Sequence, residues 1–354
     1  MRSKNYSITF IFVLIVMLVL SSSIVYYTDP YFHFHAPNEN LNYVLQNQRY
    51  QNDGITRHFD YDAIITGTSM SENFKTSELD KLFNTKSIKT PYSGGSLKEI
   101  NQGLERAISY NPNIKMIVRA IDNDAISLSS DVMWYNNLPT YLYDDNKFND
   151  VKYLLNKELY TNDLLHLVIQ PTIKKQSKLN FDNYSSWYID PNIRKKDILD
   201  KYERPELLDE ETLLGVSKRY EFVKDNIEIN VIDIALANPD IDFYYYFPPM
   251  SILRFDQDNA KGILLYQFYY LEYASELMLA HDNIKLFSFF DNYDIITNLD
   301  NYVDTVHHKD YVNTLILENM KNDIGKLTFE NYHDHFDKVK EYYLNYDYDN
   351  IFND

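Results

Sequence analysis

The sequence predicts an α/β fold: a three-layer, doubly wound parallel sheet with a largely helical insertion, behind one N-terminal transmembrane helix. Three observations carry that expectation. Short apolar runs rich in β-branched and aromatic residues, several closed by Gly or Pro, recur between segments of helical periodicity. Strands separated by helix-length connections pair in parallel, and about four or five such units make a sheet covered on both faces. The first apolar run is the one stretch long and uninterrupted enough for a bilayer.

At the N-terminus, Arg2 and Lys4 precede the apolar residues 8–20, followed by Ser21-Ser22-Ser23 and Ile24-Val25-Tyr26-Tyr27. Residues 8–27 can cross a hydrocarbon core of roughly 30 Å. The two cations set the N-terminus on the cytoplasmic side and the tyrosine pair suits the outer interface, so the rest of the chain is expected outside the cytoplasm, on a single-pass anchor in the cell membrane. A cleaved signal peptide with the serines as its small-residue site is the competing reading; the uncleaved anchor is preferred. The expected organisation is an anchor at 1–27, a juxtamembrane segment at 28–59 and an α/β domain at 60–354, interrupted by an insertion at about 127–221.

Within that domain, residues 61–66 read as a strand ended by Gly67, 76–83 as a helix, and 87–90 as a second strand ended by Pro91. Residues 96–110 read as an amphipathic helix, with Ser96 as N-cap and Glu99 three residues on. Residues 114–121 are a third strand. Alternation stops over the insertion, which reads as a lid or substrate-binding cap with a helical piece at 151–159, and resumes with a helix at 222–237. A strand comes next at 241–247, its Tyr244-Tyr245-Tyr246-Phe247 run buried, then one long helix at 258–280, a strand at 284–290 and a helix at 311–324. The tail from 327 has a helical portion and is acidic.

Composition narrows the function. With a net charge of −18, the chain is repelled by phosphate backbones, which disfavours nucleic acid as a partner. The absence of cysteine excludes disulfides, thiol nucleophiles and thiolate metal sites. The 33 tyrosines fit base bias in the gene, or exposed aromatic surface for carbohydrate. The pairs His33/His35 and His333/His335 have metal-compatible spacing but no defined partner set, so they read as surface histidines. There is no phosphate loop or dinucleotide fingerprint, and neither a metal nor a cofactor is expected.

In a doubly wound sheet, sites form at the carboxyl ends of the strands. The first strand ends in Gly67-Thr68-Ser69-Met70-Ser71. A serine on such a turn can expose its Oγ as a nucleophile beside backbone N–H groups; the plain alternative is an N-cap on the following helix. After the last strand comes Asp304-Thr305-Val306-His307. That spacing lets the carboxylate hold Nδ1–H while Nε2 faces a serine. The same spacing occurs at Asp163 and His166 inside the insertion, where His166 reads as an ordinary helix-surface or packed residue. Tyr92-Ser93-Gly94-Gly95-Ser96 comes after the second strand, where glycines allow close backbone approach; a plain strand–helix turn is the alternative. Asp122-Asn123-Asp124 comes after the third strand, with Asn123 either an oxyanion donor or a turn residue.

In order and in place, Ser69, Gly95, Asn123, Asp304 and His307 resemble the four blocks of the SGNH (GDSL-like) hydrolase family, over about residues 60–126 and 240–324. The first block reads Gly-Thr-Ser-Met-Ser instead of Gly-Asp-Ser-Leu, and the third, Ile-Asp-Asn-Asp, lacks the usual Gly two residues before Asn123. The resemblance implies a flavodoxin-like sheet, a catalytic triad of Ser69, Asp304 and His307, and an oxyanion hole from Ser69, Gly95 and Asn123. Anchor and domain together resemble D-alanine transfer proteins of teichoic acid modification and the accessory proteins of membrane-bound O-acyltransferases. These resemblances imply an extracytoplasmic esterase or acyltransferase acting on acyl groups of cell-envelope polysaccharide, with a glycan or small acyl-carrying substrate and a membrane-bound O-acyltransferase as partners. The alternative is a non-catalytic glycan-binding or scaffold protein serving such an acyltransferase.

Overall fold

The computed structural model describes residues 2–164, 179–187, 190 and 192–353. It forms two compact units. The first comprises Met1–Asp60, Ser109–Asn111 and Asn137–Asn180, the second Tyr61–Ile108, Pro112–Asn136 and Phe181–Asp354. The stretch expected as one insertion at about 127–221 is thus shared, 137–180 falling in the first unit and 127–136 and 181–221 in the second. His166 lies outside the described residues.

The first unit opens with the helix Arg2–Thr28. Its 24 residues Asn5–Thr28 include an 18-residue stretch with a mean hydropathy of 2.8. At 1.5 Å per residue they reach about 36 Å, more than a hydrocarbon core. The helix ends at the buried Asp29, in left-handed backbone at φ 35°. The Asp29 carboxylate accepts the N–H groups of His33 (3.0 Å), Phe34 (2.7 Å) and His35 (3.0 Å) and the Tyr153 hydroxyl (2.8 Å). That turn draws His33 inward: expected at the surface, it is buried, with Nε2 2.9 Å from Asp150 Oδ1. The segment expected to be irregular also carries a helix, Gln48–His58.

The second unit holds a five-stranded sheet: β1 Ala63–Gly67, β2 Ser87–Pro91, β3 Met116–Ala120, β4 Asp242–Phe247 and β5 Ile284–Ser288. Every pairing is parallel and the order is β2-β1-β3-β4-β5. Alternate residues face opposite sides. On one side Ile65, Val118, Tyr246 and Phe287 pack with Leu79, Ile316 and Leu317 of the helices Thr76–Phe83 and Asp310–Lys321. On the other, Arg119 and Tyr245 reach the second helical layer. The Arg119 guanidinium, wholly buried, donates to the carbonyls of Asn230 (2.8 Å) and Leu97 (3.1 Å), and Tyr245 Oη donates to Val231 O (3.0 Å). Asn230 and Val231 lie in a wide π turn, Glu228–Ile232, that interrupts the expected helix at 222–237. Such a turn frees carbonyls from the regular ladder for buried donors.

The expected long helix at 258–280 is two helices, Ile252–Ala260 and Leu264–Leu279. Gly262 breaks it at φ 78°, while the N–H of Ile263 folds back to Asp258 O (2.9 Å), an end that L side chains resist. His335, read as a surface residue, is instead largely covered and bonded to Ser288 Oγ at 2.8 Å; His333 is exposed.

The chain leaves β1 for β2 on one side and continues through β3, β4 and β5 on the other. The carboxyl ends of β1 and β3 are therefore the switch point, where a crevice opens. Gly262→Ala forces a Cβ into left-handed backbone and is expected to lower stability by about 1–2 kcal/mol. A urea midpoint equal to that of the unaltered protein would contradict this.

Candidate active site

Gly67 closes β1 at φ 144°, and its carbonyl accepts the Tyr92 N–H at 2.8 Å. A Cβ there would sit 2.9 Å from that of Ala120, so only glycine fits. The chain then turns sharply through Ser69–Ser71, with the Thr68 carbonyl accepting both the N–H (3.0 Å) and the Oγ–H (2.7 Å) of Ser71. Thr68, not Ser69, caps this turn, its Oγ1 accepting the Met70 N–H at 3.4 Å. The Ser69 hydroxyl is left for other work.

That hydroxyl lies 2.8 Å from His307 Nε2. On the other side of the ring, Nδ1 is 2.7 Å from Asp304 Oδ2. A carboxylate only accepts, so Nδ1 carries the proton and Nε2 offers its lone pair to the Ser69 O–H. Asp304 is itself fixed, Oδ1 accepting the N–H groups of Val306 (2.8 Å) and His307 (2.7 Å). The spacing of three residues thus makes one closed local turn. Burial resists charging His307, but the Asp304 carboxylate, with Asp122 and Glu72 further off, outweighs it and raises the imidazole above its ordinary pKa. For Asp304, burial works upward, yet the His307 ring and the two N–H donors carry it below the ordinary carboxylate value. Trp187 stands edge-on to His307, ring centres 5.4 Å apart at 74°. Chemically, this arrangement can move a proton from a hydroxyl to an imidazole while a carboxylate holds the resulting cation.

A cavity of about 580 Å³ opens beside Ser69, walled by Tyr135, Trp187, Ile193, Val303, Gly94 and the Asp304–His307 turn. The Ser69 N–H has no acceptor among the described residues. The oxyanion expectation for Gly95 is corrected: its N–H is spent inside a turn on Tyr92 O at 2.7 Å. Gly94, at φ 60°, lines the cavity instead, and its N–H has no acceptor among the described residues. In the sequence the two glycines are interchangeable; only the turn separates them. Asn123 begins the short helix Asn123–Ile126, is buried, and does not line the cavity.

The sequence places Asp122 only as a neighbour of Asn123, without a role of its own. Asp122, at the end of β3, accepts the Thr68 hydroxyl and so braces the Ser69 turn from the adjacent strand. Burial drives its carboxyl up to about 6, with the Thr68 hydrogen bond opposing. The signal was the β1–β3 register, Thr66 opposite Arg119, which sets positions 68 and 122 at the same edge.

No family model matches the chain, and no curated protein does. Among solved structures it is similar to a protein from Streptococcus pneumonia described as a candidate platelet activating factor, at 11% identity and a TM-score of 0.39, over 78% of this chain and 90% of that one.

The raised His307 pKa has a measurable sign. An imidazole whose pKa is raised on folding adds stability below its unfolded value, about 6.5, and that contribution fades as pH climbs through the folded value. NMR titration of His307 is expected to give a midpoint above 6.5 that falls in Asp304→Asn. A midpoint at or below 6.5 in the unaltered protein would contradict the pairing.

Proposed function

We propose that the protein is a membrane-anchored, extracytoplasmic serine esterase or O-acyltransferase of the SGNH type, acting on acyl groups of cell-envelope polysaccharide. The observation that carries this reading is the hydrogen-bonded chain Ser69–His307–Asp304 at the mouth of a cavity. A pure scaffold has no use for a hydroxyl, an imidazole and a carboxylate in this order.

In the proposed reaction, Ser69 Oγ attacks the ester carbonyl carbon as its proton passes to His307 Nε2. The Ser69 and Gly94 N–H groups are the proposed donors to the oxyanion. When the tetrahedral intermediate collapses, the carbon–oxygen bond to the leaving alcohol breaks and His307 returns the proton to that oxygen. An acyl-Ser69 ester remains. Water or a glycan hydroxyl then gives its proton to His307 and attacks, and the proton returns to Ser69 Oγ. Asp304 stays ionised throughout, orienting Nδ1–H. The helix Asn5–Thr28 supports anchoring, and Arg2 and Lys4 before it support a domain outside the cytoplasm. From that location come the proposed glycan acceptor and a membrane-bound O-acyltransferase as partner.

The full chain in detergent is expected to take a fluorophosphonate label on Ser69 and to hydrolyse p-nitrophenyl acetate. Ser69→Ala removes both signals, and Asp304→Asn lowers hydrolysis by about 10⁴-fold, the scale known for loss of the orienting carboxylate. A folded protein that takes no label and cleaves no ester would leave the scaffold reading in its place.

A further inference from the structure

Lys89 lies on β2 with no exposed surface. No carboxylate is within ion-pair distance of it among the described residues. Taking an ammonium out of water costs several kcal/mol unless its N–H groups are met. Here they are met by oxygen acceptors alone: the carbonyls of Glu72, Phe74 (2.8 Å) and Asp182 (3.3 Å) and the hydroxyl of Ser186 (3.2 Å). Burial pushes the lysine down to about 7, against the pull of the Asp182 and Glu72 charges.

Those acceptors belong to two separate stretches of chain. Residues 72–74 lead out of the Ser69 turn, whereas residues 182–186 lead into the cavity wall. Further bonds run between the same two stretches. Ser186 Oγ lies 3.1 Å from the Glu72 carbonyl and 2.8 Å from that of Asp182. The Trp187 N–H donates to Asn73 Oδ1 at 3.2 Å. The Asp182 carboxylate accepts the N–H (2.9 Å) and hydroxyl (2.7 Å) of Ser77 in the first turn of the helix Thr76–Phe83. The residue directly after this knot is Trp187, which walls the cavity and meets His307 edge-on.

We propose that Lys89 is a positioning residue of the acyl-transfer site: its buried ammonium ties residues 72–74 to residues 182–186 and thereby holds Trp187 against His307. The inference rests on the esterase reading of that site. Lys89 touches neither the cavity nor the reacting atoms; its effect passes through Trp187. It therefore governs how well His307 faces Ser69 and how closely the cavity grips an acyl group.

The test compares Lys89→Met, Trp187→Ala and the double variant in the full chain in detergent, by labelling rate with fluorophosphonate and by kcat and KM for p-nitrophenyl acetate. Displacing a catalytic group by about 1 Å can cost on the order of 100-fold in rate. Each single variant is accordingly expected to lose about 10- to 100-fold in kcat/KM, and the double variant to lose no more than about twofold beyond Trp187→Ala, since residues in one chain of contacts do not add. Lys89→Arg, which keeps the cation, restores part of the loss. A folded Lys89→Met with unchanged labelling and KM overturns the proposal, as do fully additive losses in the double variant. Should Lys89→Met not fold, Ser186→Ala takes its place, with a smaller loss that vanishes in the Trp187→Ala background; additivity there overturns the proposal equally. An unaltered protein that takes no label fails the esterase reading instead, which keeps the two failures apart.

Discussion

Two side chains separated by 238 positions in the chain lie 2.8 Å apart, and that contact demands a frame stiffer than any loop. The frame is the parallel sheet. Ser69 leaves from the end of β1, and His307 lies between β5 and the helix Asp310–Lys321 that packs back on the same face. Each flanking element is held by apolar packing on the sheet, so the error in position is set by the core and not by the connections. The connections add only local detail: Gly67 turns the chain where a Cβ would collide with Ala120, and Asp304 closes a tight turn on its own histidine.

Around this contact the interior is unusually polar. Lys89, Arg119 and Tyr245 are buried in the sheet and satisfied chiefly by backbone carbonyls, and the half-buried Asp122 beside it accepts the Thr68 hydroxyl. A buried donor of this kind does little for net stability, because desolvation offsets most of the hydrogen-bond energy. It does fix one arrangement, since any slip leaves a charged group without acceptors. Arg119 ties the sheet to the π turn at Glu228–Ile232, and Lys89 ties the Ser69 loop to the wall bearing Trp187. In the first unit Asp29 plays the same part, gathering three N–H groups and the Tyr153 hydroxyl where the apolar helix ends.

Much of the frame was legible beforehand because it depends on periodicity and on punctuation. The five strands lie on the apolar runs, three of them closed by Gly or Pro, and the helix Thr76–Phe83 has the expected limits. The Asp304–His307 pair was legible because a turn of three residues is a local property. Less local features escaped. The break at Gly262 rests on a glycine that a helix would otherwise tolerate, and the burial of His33 on a carboxylate whose other partner, Tyr153, is 124 positions away.

Sequence alone therefore determined the apolar N-terminal helix, the alternation of strands and helices, and the local Asp304–His307 turn, because each of these depends on neighbours within a few residues. The tertiary structure decided which of two adjacent glycines spends its N–H inside a turn, that Asp122 braces the Ser69 turn, and that Lys89 reaches the Trp187 segment. The reason is that strand order and register bring together groups far apart in the chain, and a hydrogen bond at about 3 Å depends on that convergence and not on the spacing of letters.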